Sequence, residues 1–347
     1  MTTRRAQITG WGKYVPTKVL TNHDLSQMVD TSDQWIIERT GIQERHIRSE
    51  GETTTSMAVA AAQEALAVAK IKPEDLHLII VANTSPDYLL PSSANFIQHE
   101  LGARCPAFSI NAGCSGWVYG LATAHQFIQS GAYTHVLVIG VEIISYAVDY
   151  TDRTTCVLFG DAAAAVVLEP ATDGSGVLAF ELGSDGSLGQ HLYVPGGGTT
   201  NPITQATIDN REQYIRMNGR EVAKFAMRAL PTCLYNVTTQ AGMTPQDLDL
   251  IIPHQANLRL IEGAARLFDL PMDKFFVNIH KYGNTSAASI PLALVEAIEE
   301  GRAKPGDTIG MVAFGSGLSW AGAVVKMGLR EPEAAAVHSN GFAHNGV

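Results

Sequence analysis

The chain repeats itself. Ile71-Lys72-Pro73-Glu74-Asp75-Leu76-His77-Leu78-Ile79-Ile80 returns as Met243-Thr244-Pro245-Gln246-Asp247-Leu248-Asp249-Leu250-Ile251-Ile252, an offset of 172 (245 − 73). A second pair of landmarks keeps nearly the same register. Cys114 opens a helical segment closing at Gly131, and Asn284 opens another closing at Gly301, an offset of 170 (284 − 114). Each helix then leads into an apolar strand, His135–Val141 or Asp307–Phe314. A unit this long is no solenoid repeat, and two matches at nearly one offset describe a duplicated α/β unit. With 347 residues, 46% of them hydrophobic, the chain can bury two such units. The expected division is 1–170 and 171–330, with 331–347, rich in Ala, Asn, Gly and His, as a mobile tail.

Strand and helix signals alternate within each unit. Thr53–Lys70 is Ala-rich and helical in pattern and precedes a strand over Leu76–Ala82. Ser93–Leu101 reads as a helix closed by Gly102, followed by the strand Ala107–Ile110. Later, Arg220–Ala241 reads as a helix interrupted near Pro231 and closed by Gly242, and the strand Leu250–Ile252 leads to the helix Asn257–Leu267. This alternation predicts parallel βαβ units covered by helices. Glu181–Asn210, rich in Gly, Thr and Pro, is expected to be an irregular surface excursion. Its Gly196-Gly197-Gly198 reads as a turn, because neither a helix nor Lys-Ser/Thr follows to make a phosphate cradle.

Composition narrows the function classes. No apolar run approaches the ~18 residues of a membrane span, and Met1-Thr2-Thr3-Arg4-Arg5 lacks the apolar core of a signal peptide. Cys105, Cys114, Cys156 and Cys233 form neither CxxC pairs nor a dense framework, which fits reduced thiols in a cytoplasmic enzyme. A formal charge of −10 argues against a general nucleic-acid binder.

Three residues at strand-to-helix junctions could carry chemistry. Cys114 follows Ile110-Asn111-Ala112-Gly113 at the expected start of a helix. Unpaired N–H groups and the macrodipole there favour thiolate and lower the thiol pKa; the other reading is an inert core cysteine. His254, in Pro253-His254-Gln255-Ala256-Asn257, lies at the carboxyl end of a strand, where open α/β sheets place their sites; a hydrogen-bonded structural histidine reads equally well. Asn284, in Gly283-Asn284-Thr285-Ser286-Ala287-Ala288, is a natural helix N-cap whose amide N–H2 can still face a cleft. Together a thiol, an imidazole and an amide suit acyl transfer from a thioester, with His and Asn donating to an enolate oxygen. There is no P-loop, HExxH, or GxSxG at a strand–helix elbow.

Asn111-Ala112-Gly113-Cys114-Ser115-Gly116, Pro253-His254-Gln255-Ala256-Asn257-Leu258-Arg259 and Gly283-Asn284-Thr285-Ser286-Ala287-Ala288 resemble the three active-site motifs of β-ketoacyl-acyl-carrier-protein synthase III. The resemblance runs from about Ile8 to Gly328. It implies a thiolase-like duplicated fold, five αβαβα layers with two pseudo-twofold-related halves, usually in a homodimer. It also implies Cys114 as the acyl-carrying nucleophile, His254 and Asn284 as enolate donors, and the backbone N–H groups of Cys114 and Ser316 as the oxyanion hole. The implied substrates are acyl-CoA and malonyl-acyl carrier protein, with no metal or other cofactor. Thr31, Trp35, Arg39, Thr40 and Arg153 resemble the coenzyme A site, Trp35 and Arg153 sandwiching the adenine, and Asn257 resembles the pantetheine contact. Lys224, Arg259 and Arg266 match basic positions that meet the acidic carrier protein, although they also read as ordinary helix charges. Without the resemblance, Trp35 reads as a core anchor sharing a helical face with Arg39.

Departures bear on the substrate. Leu90 stands where acetyl-preferring members often carry Phe, in a residue that reaches across the dimer into the partner's acyl pocket, so a branched or longer primer is plausible. Thr154 replaces a common Gly beside the CoA arginine, and Gly160-Asp161-Ala162-Ala163-Ala164 has Ala where Gly is frequent. Besides primer condensation in fatty-acid synthesis, the motifs admit a condensing enzyme of specialised ketide synthesis and, remotely, a Cys-His-Asn thioester hydrolase. A degradative thiolase needs a late second cysteine, and none follows Cys233.

Overall fold

A computed structural model describes residues 4–328; the expected tail 331–347 lies outside them. The duplication is written in the sheets. In the first, Ala6–Tyr14 pairs antiparallel with Ala162–Pro170, which pairs antiparallel with Val136–Glu142. Leu78–Ala82 lies parallel to Val136–Glu142, and Ala107–Ile110 lies parallel to Leu78–Ala82 at the edge. The second sheet has the same order: Gly176–Ser184, Ser319–Lys326, Thr308–Gly315, Leu250–Pro253. Its pairings repeat the sequence antiparallel, antiparallel, parallel. Where the first sheet has its edge strand, the second has a single parallel bridge between Ile251 and Phe275. The repeat therefore survives as topology even where the strand itself has shrunk.

Two helices, Gly116–Gln129 and Ser289–Glu299, lie between the sheets. One core cluster joins Trp117, Leu121 and Ile128 of the first helix to Leu294 and Ile298 of the second, Leu78 and Ile80 of one sheet, and Ile252 and Met311 of the other. Both helices end at left-handed glycines, Gly131 (φ 80°) and Gly301 (φ 66°), the conformation that closes a helix at little steric cost. Ile79, Val81, Leu137 and Ile139 face the opposite way and pack under the helices Thr54–Ala69 and Ser93–Leu101. The helices Gly219–Gln240 and Leu258–Leu267 cover the outer face of the second sheet. The result is αβαβα. Central strands buried on both faces account for the unbroken apolar runs, since period-2 alternation appears only where one face meets water.

Two expectations need correction. Pro231 does not interrupt its helix, which runs from Gly219 to Gln240. The carbonyl four residues back belongs to Met227, which is exposed, so the bond that proline removes can be replaced by water. Val222, Phe225, Leu230, Leu234 and Val237 hold the helix to the sheet on both sides of the proline. The surface excursion begins later than expected, because Gly176–Ser184 is a full strand. Gly183 lies under Trp320, and a Cβ there would come within 2.2 Å of the indole. That glycine serves close packing inside a strand, not a turn.

Candidate active site

Cys114 lies in the 3-10 turn Gly113–Ser115 that runs into the helix Gly116–Gln129. The loop after Thr308–Gly315 closes over it. A Cβ on Gly315 would meet the Cys114 nitrogen at 2.4 Å, and one on Gly113 would meet the Ser316 nitrogen at 2.8 Å. The backbone of Cys114 and Ser316 is thereby brought together, the approach two oxyanion-hole donors require. Ser115 Oγ and Ser319 Oγ, 2.8 Å apart, both reach the Ala112 carbonyl and pin the two loops.

His254 follows Leu250–Pro253, is fully buried, and its N–H donates to the Val312 carbonyl at 2.8 Å. Its ring meets Phe314 edge-on, centroids 5.4 Å apart. Ser289 Oγ accepts the Gln255 N–H at 2.8 Å and lies 3.0 Å from His254 Nδ1. With the hydroxyl proton donated to Nδ1, the imidazole carries its own proton on Nε2. Burial holds the imidazole pKa down to about 3, so the ring is a neutral donor.

Asn284 is fixed at its backbone, its N–H donating to Leu158 O at 2.8 Å and its carbonyl accepting from Gly160 N. Its Oδ1 accepts the Ser286 N–H at 2.8 Å, leaving Nδ2 without a partner among the described residues. The free amide expected from the sequence is there, but Asn284 is not a helix N-cap: the 3-10 turn Ser286–Ala288 begins after Thr285 and the helix Ser289–Glu299 after Ala288, so Oδ1 closes a local turn instead.

The thiol itself departs from expectation. The helix start was expected to lower its pKa, yet burial pushes it up to about 12, and the Glu142 carboxylate adds to the rise. The Ser286 hydroxyl and a backbone N–H act in the other direction but do not overcome desolvation.

Two buried histidines give the fold an acid limit. His125 Nδ1 accepts the Ala6 N–H at 3.2 Å, and burial, with the Arg5 charge, lowers its pKa to about 4. Both His125 and His254 stay neutral in the fold while unfolded histidines protonate near pH 6.5. Stability is therefore intact above that pH and lost as pH falls toward 4. We expect a loss of about 4 kcal/mol between pH 8 and pH 5 from these two groups, read from urea midpoints. His125→Asn, which keeps the acceptor without the titration, should remove about half of it; an unchanged slope would overturn the assignment.

At the other end of the site, the Arg153 guanidinium stacks over Trp35, 5.1 Å from the ring centroid, and Arg39 lies at 6.0 Å. Thr31 Oγ1 is buried with no partner, as a ligand contact would leave it. Thr40 is different: it is buried, donates to Ile36 O at 2.7 Å and accepts from Ile42 N at 3.0 Å, so its hydroxyl fastens a helix end. Asn257 caps its helix through Oδ1 and ties Nδ2 to Arg39 O at 3.0 Å, joining that helix to Asp33–Thr40. Lys224, Arg259 and Arg266 are exposed, but Lys224 pairs with Glu221 at 3.8 Å and Arg266 with Glu262 at 3.9 Å. Arg220 and Arg228, which sequence reasoning missed, are also exposed and extend Lys224 into a stripe at four-residue spacing. Leu90 is 87% exposed beside Leu89 and Tyr88.

Sheets joined by a helical layer, with a thiol, an imidazole and an amide gathered at their strand ends, define a thiolase-like condensing enzyme, an acyltransferase. Residues 108–186 match the family model for 3-oxoacyl-[acyl-carrier-protein] synthase III and residues 238–327 its C-terminal part. The β-ketoacyl-[acyl-carrier-protein] synthase III of Caldanaerobacter subterraneus subsp. tengcongensis is 49% identical over 92% of this chain and 97% of its own. The crystal structure of 3-oxoacyl-[acyl-carrier-protein] synthase III from Aquifex aeolicus superposes with a TM-score of 0.86 at 48% identity, covering 92% and 99% of the two chains. The priming β-ketosynthase of the R1128 polyketide pathway has a TM-score of 0.86 at 30% identity, over 96% and 99%. The chain belongs to the β-ketoacyl-acyl-carrier-protein synthase III family.

Proposed function

We propose that the protein starts fatty-acid synthesis by condensing an acyl-CoA primer with malonyl-acyl carrier protein. Cys114 sulfur attacks the thioester carbonyl, the bond to CoA sulfur breaks, and free CoA leaves. Malonyl-acyl carrier protein then loses CO2, and the electron pair of the broken C–C bond becomes an enolate held by His254 Nε2–H and Asn284 Nδ2–H. The enolate carbon attacks the acyl-Cys114 carbonyl while the N–H groups of Cys114 and Ser316 stabilise the oxyanion. Collapse breaks the C–S bond and releases 3-oxoacyl-acyl carrier protein. Both thioesters are consumed as substrates, and these steps call on no cofactor. The observation that carries the reading is the pair of neutral, pre-aimed donors, His254 with its Nδ1 engaged by Ser289 and Asn284 with its Oδ1 engaged by Ser286.

Trp35, Arg153 and the unpartnered Thr31 hydroxyl suit a CoA nucleotide, by stacking, cation–π attraction and a hydrogen bond. The exposed run Tyr88-Leu89-Leu90 suits a homodimer in which Leu90 enters the partner's acyl pocket. Cysteines without disulfides suit the cytoplasm, and no helix among the described residues is long and apolar enough to cross a membrane. The basic stripe suits an acidic carrier protein. Arg259→Glu should raise KM for carrier-bound malonate about tenfold, since charge reversal at a docking patch costs on the order of 1.4 kcal/mol, with Cys114 acylation unchanged; an unaltered KM would remove Arg259 from the docking face.

The reading is tested by intact-protein mass spectrometry after incubation with mixed acyl-CoAs, followed by malonate-dependent CO2 release. An acyl adduct on Cys114 that is discharged only with CO2 supports condensation. Free acid without CO2 would mean a hydrolase. The similarity to the R1128 priming enzyme keeps specialised ketide synthesis as a second reading, and preference for malonyl-CoA over the carrier-bound form would favour it.

A further inference from the structure

Gln255, the neighbour of His254, is 1% exposed, and its side-chain amide makes every hydrogen bond an amide can make. Nε2 donates to Pro253 O at 2.8 Å and to Phe276 O at 3.1 Å. Oε1 accepts the Asn278 N–H at 3.1 Å and the Ile279 N–H at 3.2 Å. Two carbonyls on one side and two N–H groups on the other leave the amide a single orientation. The Gln255 backbone N–H goes to Ser289 Oγ, the hydroxyl that engages His254 Nδ1. One residue thus holds the support of one enolate donor and the segment that leads, through the helix Ile279–Tyr282 and Gly283, to the other.

The duplication explains why a side chain is needed here. Gln255 stands at the position of Asn83 in the first unit, an offset of 172 (255 − 83). There the backbone suffices: Ala107–Ile110 pairs along Leu78–Ala82, the Asn83 N–H donates to Ile110 O at 3.2 Å, and the residues that follow carry Cys114. In the second unit that strand has shrunk to the Ile251–Phe275 bridge, and the Gln255 amide supplies pairing the missing strand would have made. Farther along, the Asn278 amide donates to Glu296 Oε2 at 2.9 Å and the Tyr282 hydroxyl to Glu296 Oε1 at 2.5 Å. Glu296 and Ser289 share the helix Ser289–Glu299. Ser289, Gln255, Asn278 and Glu296 therefore close a ring, with His254 held at one corner and Tyr282, two residues before Asn284, at another.

We propose that Gln255 is a positioning residue for malonyl decarboxylation, a role that rests on His254 and Asn284 being the enolate donors. It sets Asn284 Nδ2 against His254 Nε2 so that both donate to one oxygen. Donation to a forming charge is steep in geometry, and displacing a donor by about 1 Å costs on the order of 10² in rate. Volume alone cannot do this. An apolar side chain of equal size would leave two carbonyls and two N–H groups buried without partners, and the segment 276–279 would shift toward whatever satisfied them. The acylation half of the site stands apart from this ring, because Cys114 and Ser316 are joined by the close approach at Gly113 and Gly315 and by the Ser115–Ser319 contact.

The test compares the two half-reactions in Gln255→Met, alone and combined with Asn284→Ala. Gln255→Met should lower kcat for CO2 release from malonyl-acyl carrier protein by about 10–100-fold, with KM and the rate of Cys114 acylation within about threefold of wild type. In the Asn284→Ala background, which has already lost the amide donor, the same substitution should cost less than about threefold more, because residues acting through one interaction do not add. Tyr282→Phe keeps the ring shape and loses only the bond to Glu296. It should lower CO2 release about fivefold alone and no further beside Asn284→Ala, which keeps the proposal testable even if Gln255→Met does not fold. A wild-type rate of CO2 release in soluble Gln255→Met, equal losses in acylation and CO2 release, or losses that multiply in the double variants would overturn the positioning role. Full CO2 release by Asn284→Ala alone would instead overturn the reading of the site on which the role rests, so the two failures are distinct.

Discussion

Cys114→Ala is expected to abolish the acyl adduct and to lower primer-dependent condensation by more than about 10³-fold, the scale on which removing a nucleophile from a cooperating site acts. The same variant should still release CO2 from malonyl-acyl carrier protein. His254 and Asn284 are oriented by Ser289 and Ser286, not by the thiol, so the enolate donors persist when the sulfur is gone. Alanine fits without strain, since the neighbouring constraints are on the backbone around Gly113 and Gly315. Two assays on one preparation decide it: intact mass after acyl-CoA treatment, and CO2 release from labelled malonate. Full condensation in Cys114→Ala would remove Cys114 as nucleophile. Loss of both activities with an intact fold would mean that decarboxylation requires the acylated sulfur.

The fold was legible because duplication leaves two marks in sequence. The Pro73 and Pro245 turns and the Gly131 and Gly301 helix ends repeat at nearly one offset, and each pair has the same physical cause in both sheets. The fifth strand of the second sheet was not legible, because one bridge at Phe275 has no periodicity to read. Cys114, His254 and Asn284 were legible as residue types at strand ends. Their supports were not. Ser289 and Gln255 act through contacts between separate segments of chain, and a serine beside a motif looks like an ordinary capping residue. The thiol pKa was misjudged because a helix start is visible locally, whereas burial is contributed by Gly315 and its neighbours two hundred residues away.

The reciprocal variant, Asn284→Asp, should leave Cys114 acylation within a few-fold of wild type and lower malonyl decarboxylation by about 10²–10³, the usual cost of losing one oxyanion donor. Oδ1 would keep its bond to the Ser286 N–H, so the local turn survives. The other oxygen would replace a donor with an acceptor and, when ionised, set a negative charge against the forming enolate. His254→Ala should match it in direction, as the second donor to the same oxygen. Their pH profiles separate the two roles. His254 is neutral throughout pH 5 to 8, because its pKa is held down to about 3, so wild-type decarboxylation should be level across that range. Asn284→Asp should recover as pH falls and its carboxyl becomes protonated. Ser289→Ala should lower decarboxylation while sparing acylation, because a freed Nδ1 lets the proton leave Nε2. Equal losses in acylation and decarboxylation for Asn284→Asp would show that the amide holds the pocket together and does not hold the enolate.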